Sequence, residues 1–549
     1  MKIPTGLPGP SDHAADRFAR RSRLASPATV TGALPRKSLP LWRASARMAI
    51  VAAAGVVAAG VIATGITGCA DMSGIEPKAE LRSAASVGLP TAAKAPAVAP
   101  DWWLAFGDDQ LNTLVATALA SNPSLKLAQA RFEKASAVTE VAKAATLPQL
   151  GAQLDATRQL YTANGAVPPP LAGSVRTSGT AQLSASWELD FFGKNRAALD
   201  AALGSVRAAE ADTQAAKVLL ASNVARSYFQ LVRINEQISV ARRTLSQREE
   251  ALKLVQDRVG AGLDTRLELL SSEAGLPEAR LQLEALQEQM ALSRNALGAL
   301  IGQPNVALAA VPRPLNAIKT VAVAQTLPAD LLGRRADIVA ARWRVEASGK
   351  DVVNAKTQFY PNVNLVAFAG FSSIGLNRLL DSGSQQWGAG PALRLPIFDA
   401  GRLRANLRGK TADLDAAVES YNAAVLDALR DVADQVASSQ AIARQQTQRR
   451  DAQQASEGAY DIAVQRYKAG LGTYLNVLTA ETTVLTQRRG AVDLAARALD
   501  TQVALIRALG GGYTAEPGQL PDATKNIATN NRIDWASGTF DAKNRLLAR

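Results

Sequence analysis

Few residues of this 549-residue chain could take part in catalysis. The chain contains one histidine, His13, and one cysteine, Cys69. Beyond residue 69 there is therefore no imidazole or thiol for a metal site, a Ser-His-Asp triad or a Cys-His pair. Asp and Glu are plentiful, but most stand among Lys and Arg on predicted helix faces. The sequence therefore favours a protein that is not an enzyme and that needs no metal or cofactor.

Cys69 stands where a leader would be processed. Arg43 and Arg47 precede an apolar run, 48–68, that ends in Ile66-Thr67-Gly68-Cys69. A basic segment, an apolar stretch and small residues before a break are typical of a secretory signal peptide. The last four residues resemble the lipobox of bacterial lipoproteins, which implies a covalent lipid on Cys69. The alternative is a single membrane-spanning anchor, because about 20 apolar residues can cross a bilayer.

The net charge of +13 is concentrated in the leader. Residues 1–68 hold nine Lys/Arg and two Asp, a contribution of +7. The remainder holds 52 basic and 46 acidic residues, or +6, with no basic run that could follow phosphates. We therefore expect no nucleic-acid partner.

Two long stretches, 205–259 and 410–457, contain neither glycine nor proline. The first would be roughly 80 Å long as a helix, which is unusual inside a globular domain. Its apolar and small residues recur every three or four positions, a pattern that allows close packing of neighbouring helices. Taken alone, the stretch predicts a long structural coiled coil.

The residues before each long stretch alternate with a period of two. Hairpins are predicted at about 148–190 and 361–398, each with one apolar side. In the second hairpin Val366 and Phe368 interrupt the polar side. Such strands suit either a β-sandwich or a membrane barrel, although nothing nearby supplies a second sheet.

The chain contains an internal repeat. A set of residues around the first glycine turn recurs 208 positions later, with Arg258, Gly262, Thr265, Leu267, Leu270 and Glu273 matching Arg466, Gly470, Thr473, Leu475, Leu478 and Glu481.

Two repeats give four strands with one lipid-compatible face. Four strands cannot close a barrel, and an open edge is not tolerated in hydrocarbon. Several copies must therefore pool their strands, and three would give twelve.

Five motifs carry a family resemblance. They are Asp101-Trp-Trp-Leu-Ala-Phe-Gly107, Glu188-Leu-Asp-Phe-Phe-Gly193, Arg334-Arg-Ala-Asp-Ile338, Pro396-Ile-Phe-Asp-Ala-Gly401-Arg402 and Arg466-Tyr-Lys-Ala-Gly470. Together they resemble TolC-type outer-membrane efflux channels, in particular the lipoprotein branch that serves resistance–nodulation–division pumps. The resemblance extends from about residue 69 to 512.

The resemblance implies an α+β membrane protein in the bacterial outer membrane, lipid-anchored and extending into the periplasm. It implies a homotrimer with a twelve-stranded β-barrel, four strands per chain, on a long periplasmic α-helical barrel. Such a channel passively exports small molecules or drugs, and docks a periplasmic adaptor and an inner-membrane transporter at its tip. The turns at Gly262 and Gly470 would form that tip. Its outer surface would contact outer-membrane lipid.

We divide the chain accordingly. The segments are a leader, 1–68; a lipidated N-terminal arm, 69–107; a first repeat, 108–302, with a β-hairpin at about 148–190 and a helical hairpin at 194–300; an equatorial linker, 303–330; a second repeat, 331–512, with a β-hairpin at about 361–398 and a helical hairpin at 402–509; and a C-terminal tail, 513–549.

The expected entrance differs from the family pattern. Aspartates often ring the closed entrance in the family, whereas the corresponding positions here are Asn476 and Thr479. The apolar constriction of the family corresponds to Leu475. Asp264 or Glu268 of the first repeat could supply charge instead.

Two other functions remain open from the sequence. One is the outer-membrane duct of a type I protein-secretion system, which would have the same fold and a different cargo. The other is a periplasmic coiled-coil scaffold without a pore.

The lipobox predicts that Cys69→Ala abolishes lipid attachment, because the thiol is the acceptor, while the trimer still assembles. Incorporation of labelled palmitate into the purified protein measures the attachment, and Ser73→Ala is the control that should label like the wild type. A wild-type protein without lipid would contradict the lipoprotein reading.

Overall fold

The computed structural model describes residues 72–82, 86, 98–303, 313–321 and 331–514. Cys69 and the predicted leader lie outside the described residues, as do most of the predicted linker and tail. In the described part, no helix has the length and apolar character needed to cross a bilayer.

Eight α-helices and four strands follow one another in the described residues, with short 3-10 helices between some of them. In chain order they are α1 (Asp109–Ser121), α2 (Pro123–Ala144), β1 (Gln149–Leu160), β2 (Val175–Leu189), α3 (Lys194–Gly260), α4 (Arg266–Leu300), α5 (Leu331–Arg334), α6 (Ala336–Thr357), β3 (Asn362–Ile374), β4 (Gln385–Arg394), α7 (Arg402–Lys468) and α8 (Tyr474–Ala508).

The two halves have the same architecture. Helices α2 and α6 have 22 residues each, α3 and α7 have 67 each, and α4 and α8 have 35 each. Each half therefore consists of a helix, a β-hairpin, a very long helix and a returning helix. This finding confirms the internal repeat.

Helix α3 is longer than its glycine-free stretch suggested, at about 100 Å. It begins directly after Gly193, which has a left-handed conformation with a φ of 79°. It also continues through Gly204, where an added Cβ would lie 3.2 Å from the backbone of Ala347 in α6. A glycine inside a helix usually weakens it, but here it allows two helices to approach closely.

The strands form one antiparallel sheet in the order β1-β2-β3-β4. Its register places the predicted apolar residues of all four strands on one face, since Leu150 pairs with Ala185, Leu183 with Ala369, and Ala369 with Trp387. Most large side chains of this face are exposed, with Trp387 81% exposed. Among the described residues there is no second sheet to cover it, as a sandwich would require.

The main core lies at the middle of the helical part. Trp102 and Phe106, from the first resemblance motif, are buried against Phe229 of α3, and the rings of Phe106 and Phe229 are 5.2 Å apart. Tyr228 donates a hydrogen bond of 2.8 Å to Asp108, which also caps α1. The motif therefore packs α1 against the long helix.

The arm after the predicted lipidation site is extended and lies along α7. The amides of Lys78 and Ala79 donate to Asp415 at 2.9 and 3.0 Å, and the amide of Arg82 donates to Asn422 at 2.9 Å. Nearer its start, the Ser73 carbonyl accepts a bond from Arg404, close to where α7 leaves the sheet. The arm therefore starts at the sheet end of α7.

Candidate functional site

The turns that end α3 and α7 have the same backbone geometry. Gly262 and Gly470 each have a φ of 73°, a left-handed conformation that favours glycine. In each turn the residue after the glycine donates a 2.8 Å hydrogen bond to the arginine carbonyl, Leu263 to Arg258 and Leu471 to Arg466. These bonds satisfy carbonyls that the helix end leaves without a partner.

The two turns meet through three polar side chains, which we call the turn cluster: Arg258, Asp264 and Tyr467. Arg258 makes two bonds to the Asp264 carboxylate, of 2.9 and 3.2 Å, and a third of 3.1 Å to the Tyr467 carbonyl. The Tyr467 hydroxyl also donates to Asp264. The cluster therefore ties the first helical hairpin to the end of α7.

The cluster is well shielded and electrostatically balanced. The side chains of Arg258 and Asp264 are 13% and 10% exposed, and the guanidinium lies 4.7 Å from the centre of the Tyr467 ring. The Arg258 guanidinium holds the pKa of the Asp264 carboxyl below its usual value, against the opposing effect of burial. Burial, followed by the Asp264 carboxylate, raises the pKa of Tyr467. Asp264 is therefore ionised and Tyr467 neutral at physiological pH.

The repeat symmetry is broken at this cluster. The position equivalent to Asp264 in the second repeat is Gly472, and the position equivalent to Tyr467 in the first is Val259. Arg466 consequently has no carboxylate at that position and instead donates to the Leu471 carbonyl at 3.2 Å. Each chain thus contains one turn cluster rather than two.

Further from the turns, ion pairs join the long helices. Arg248 of α3 bonds to Glu481 of α8 at 2.9 Å, which links the two helical hairpins, and Arg488 of α8 bonds to Glu457 of α7 at 3.1 Å within the second hairpin. Arg488 also donates to Gln247 at 3.2 Å. Glu481 is buried, whereas its repeat equivalent Glu273 is exposed. Removal of Arg248 would leave the buried Glu481 carboxylate without its partner, so this pair holds the two hairpins in register.

The residues predicted for an entrance constriction lie together at the start of α8. Leu475, Asn476 and Thr479 share one exposed face, and Leu475 is 68% exposed. The opposite face of α8 is buried, with Tyr474 and Val477 packed in an apolar cluster.

The carboxylates predicted as entrance charge are already engaged within the chain. Asp264 is neutralised by Arg258 in the turn cluster. Glu268 accepts from the Thr265 amide at 3.0 Å and forms a capping box at the start of α4. Their first role in this conformation is therefore to fix the turn. The turn cluster itself was missed from the sequence, although Gly472 opposite Asp264 marked the difference between the repeats.

The turn cluster predicts a local loss of stability in Asp264→Asn, because the charged bonds to Arg258 are lost. Hydrogen exchange of amides 261–265 should become faster, whereas Glu268→Gln should change little, since glutamine also completes a capping box. In the wild type, protonation of Asp264 in acid should remove the same stabilisation of the turn. The folded-state pKa of Asp264 lies below the ordinary value of 3.8. The stabilisation by the Arg258 bonds is therefore complete above pH 3.8 and is lost as the pH falls through the folded-state pKa. Equal exchange in Asp264→Asn and wild type would contradict this role.

Comparison with known proteins gives consistent matches along the chain. The sequence model of the outer membrane efflux protein family matches residues 114–303 and 327–511, one segment in each repeat. The pyoverdine export outer membrane protein OpmQ of Pseudomonas aeruginosa is 34% identical over 76% of this chain and 88% of its own length. The multidrug resistance outer membrane protein MdtQ of Escherichia coli is 34% identical over 80% of this chain and 96% of its own.

Solved structures give the same result. The outer membrane protein VceC of Vibrio cholerae has a TM-score of 0.71 and 38% identity, covering 75% of this chain and 99% of that one. The resemblance inferred from the motifs is confirmed. With both repeats matched, the chain belongs to the outer membrane efflux protein family.

Proposed function

We propose that three copies of this outer-membrane efflux protein form the exit duct of a tripartite system. The duct would export small molecules passively, and a periplasmic adaptor and an inner-membrane transporter of the resistance–nodulation–division type would dock at its turn end. The observation that carries the proposal is the sheet, which has an exposed apolar face and two edges without a partner among the described residues.

The sheet geometry favours closure between copies. Strands β2 and β3 are paired on both sides, whereas β1 and β4 each present one edge whose backbone groups pair with no strand of the described part of the chain. Unpaired backbone groups in hydrocarbon cost several kcal/mol each, as a rough figure, so a spanning sheet must close on itself. Three copies supply twelve strands, an even number within the range of outer-membrane barrels.

The surface of the helices also favours the proposal of several copies in contact. Helix α2 has no fully buried side chain in the single chain. Along it Leu127, Val138 and Val141 are exposed although they are apolar. Contact with a second copy would cover such a surface, and the long helices of three copies would then enclose a periplasmic tube.

The arm supports anchoring in the same membrane as the sheet. Its described part begins at Met72, close to the sheet end of α7. Cys69 precedes Met72 by three positions, a distance that the chain can span over at most about 10 Å. A lipid on Cys69 would therefore insert beside the barrel.

At the opposite end of the long helices, we assign the closed entrance to the two turns. Three copies of Leu475 would form an apolar ring, and Asn476 and Thr479 would line it without charge. The turn cluster would hold the hairpins in the closed arrangement. The turns at Gly262 and Gly470 would contact the adaptor.

The names of the relatives favour small-molecule cargo over protein secretion. One relative is named for pyoverdine export and another for multidrug resistance. The exposed apolar sheet face argues against a scaffold without a pore, since such a face would be unfavourable in water.

Conductance of the purified protein in planar bilayers tests the duct. The wild type should conduct ions poorly, because the entrance is closed. Tyr467→Phe removes the hydroxyl bond to Asp264, worth about 1–2 kcal/mol, and should raise open probability about tenfold. Tyr460→Phe is the matched control, since it removes a hydroxyl from the same apolar cluster but leaves Asp264 bonded.

Two results would contradict the proposal. A wild type that forms a wide, constantly open pore would rule out a constriction at Leu475. A protein that forms no pore in any of these variants would rule out the duct.

A further inference from the structure

Two large apolar side chains stand next to each other near the middle of the polar face of the sheet, and a third, Ile374, ends β3 on the same face. The register places Phe368 of β3 between Ser184 of β2 and Gly388 of β4. It places Val366 between Ser186 and Gly390 in the next row of the same face. The rows on either side of the pair contain Asn364 and Gly370 of β3, and Gln386 donates a 3.0 Å bond to Gln182 across Gly370.

The neighbouring glycine makes room for the aromatic ring. A Cβ added to Gly388 would lie 2.7 Å from Cε1 and 2.9 Å from Cζ of Phe368, closer than side chains tolerate. The ring therefore lies over the strand at Gly388. Phe368 is 40% exposed and Val366 is 39% exposed, so each keeps an open surface.

Contacts between subunits do not cover this pair. Strand β3 is internal, with β2 on one side and β4 on the other, whereas copies of the chain would join at β1 and β4. If the apolar face meets lipid, the polar face lines the duct. The pair then projects into the path of the cargo, at the same height in all three copies.

We propose that Phe368, extended by Val366 and accommodated by Gly388, is a contact site for cargo molecules that carry flat aromatic groups. The proposal rests on the proposed duct and adds a class of cargo to it. Aromatic faces gain from stacking beyond the area they bury, whereas small hydrophilic solutes gain nothing from such a surface. The site would therefore favour aromatic cargo as it leaves the helical tube.

Block of the single-channel current tests the site with two cations of equal charge. Tetraphenylphosphonium carries four aromatic rings, and tetrabutylammonium, a bulky cation whose charge is shielded by its butyl chains, carries none. In the Tyr467→Phe background, tetraphenylphosphonium should block the current more strongly than tetrabutylammonium. Phe368→Ser should weaken the block about two- to tenfold, the range expected for one lost aromatic contact.

Three further variants separate the ring from general disturbance of the barrel. Phe368→Tyr keeps an aromatic face and should keep the block. Gly388→Ala should weaken it, because the new Cβ displaces the ring. Asn364→Ser, on the same face of β3, should leave the block unchanged.

The possible failures are distinguishable. Equal block of Phe368→Ser and its parent by tetraphenylphosphonium would overturn the aromatic site and leave the duct intact. Equal block by both cations in the parent would also overturn it. If no variant forms a channel, the proposed function fails and the site fails with it.

Discussion

The structure depends on one constraint, which is that a sheet in hydrocarbon cannot leave backbone groups unpaired at its edges. This chain contains four strands, each long enough to cross a membrane, and each pair of strands is followed by two long helices. Its outer strands, β1 and β4, have no neighbour on one side among the described residues. The apolar face of the same sheet is exposed rather than packed. Both features are unfavourable in a single chain and favourable in a closed ring of copies.

The repeat explains how one chain supplies both the sheet and the helices. Each half gives two strands and one helix of 67 residues, so one chain supplies strands and long helices in equal numbers from both halves. The halves are not interchangeable at the turns. Asp264 and Tyr467 occur in different repeats, and their equivalents are Gly472 and Val259. The two repeats thus share one architecture but differ in the side chains that join their turns.

Much of the fold could be predicted from periodicity. The alternation of Leu183, Ala185 and Trp187 predicted the apolar face of the sheet, and the 208-residue offset predicted the repeat. Gly204 lies inside α3, where its lack of a Cβ lets α6 approach closely, a contact that the sequence did not predict. The turn cluster and the Arg248–Glu481 pair join residues more than 200 positions apart, and no spacing rule relates such positions. Leu475 and Thr479 could be placed on one helix face from their i, i+4 spacing, and they do share an exposed face.

Cross-linking of the sheet edges tests the central claim most directly. Single cysteines on β1, at Ala152, Leu154 or Ala156, would each be combined with one at Ala389 on β4, and the protein would be oxidised in the outer membrane. Within one chain these edges lie about 14 Å apart, too far for a disulfide, so any bond must join two copies. The account predicts covalent dimers and trimers and nothing larger. Monomers only, across the whole set, would contradict it.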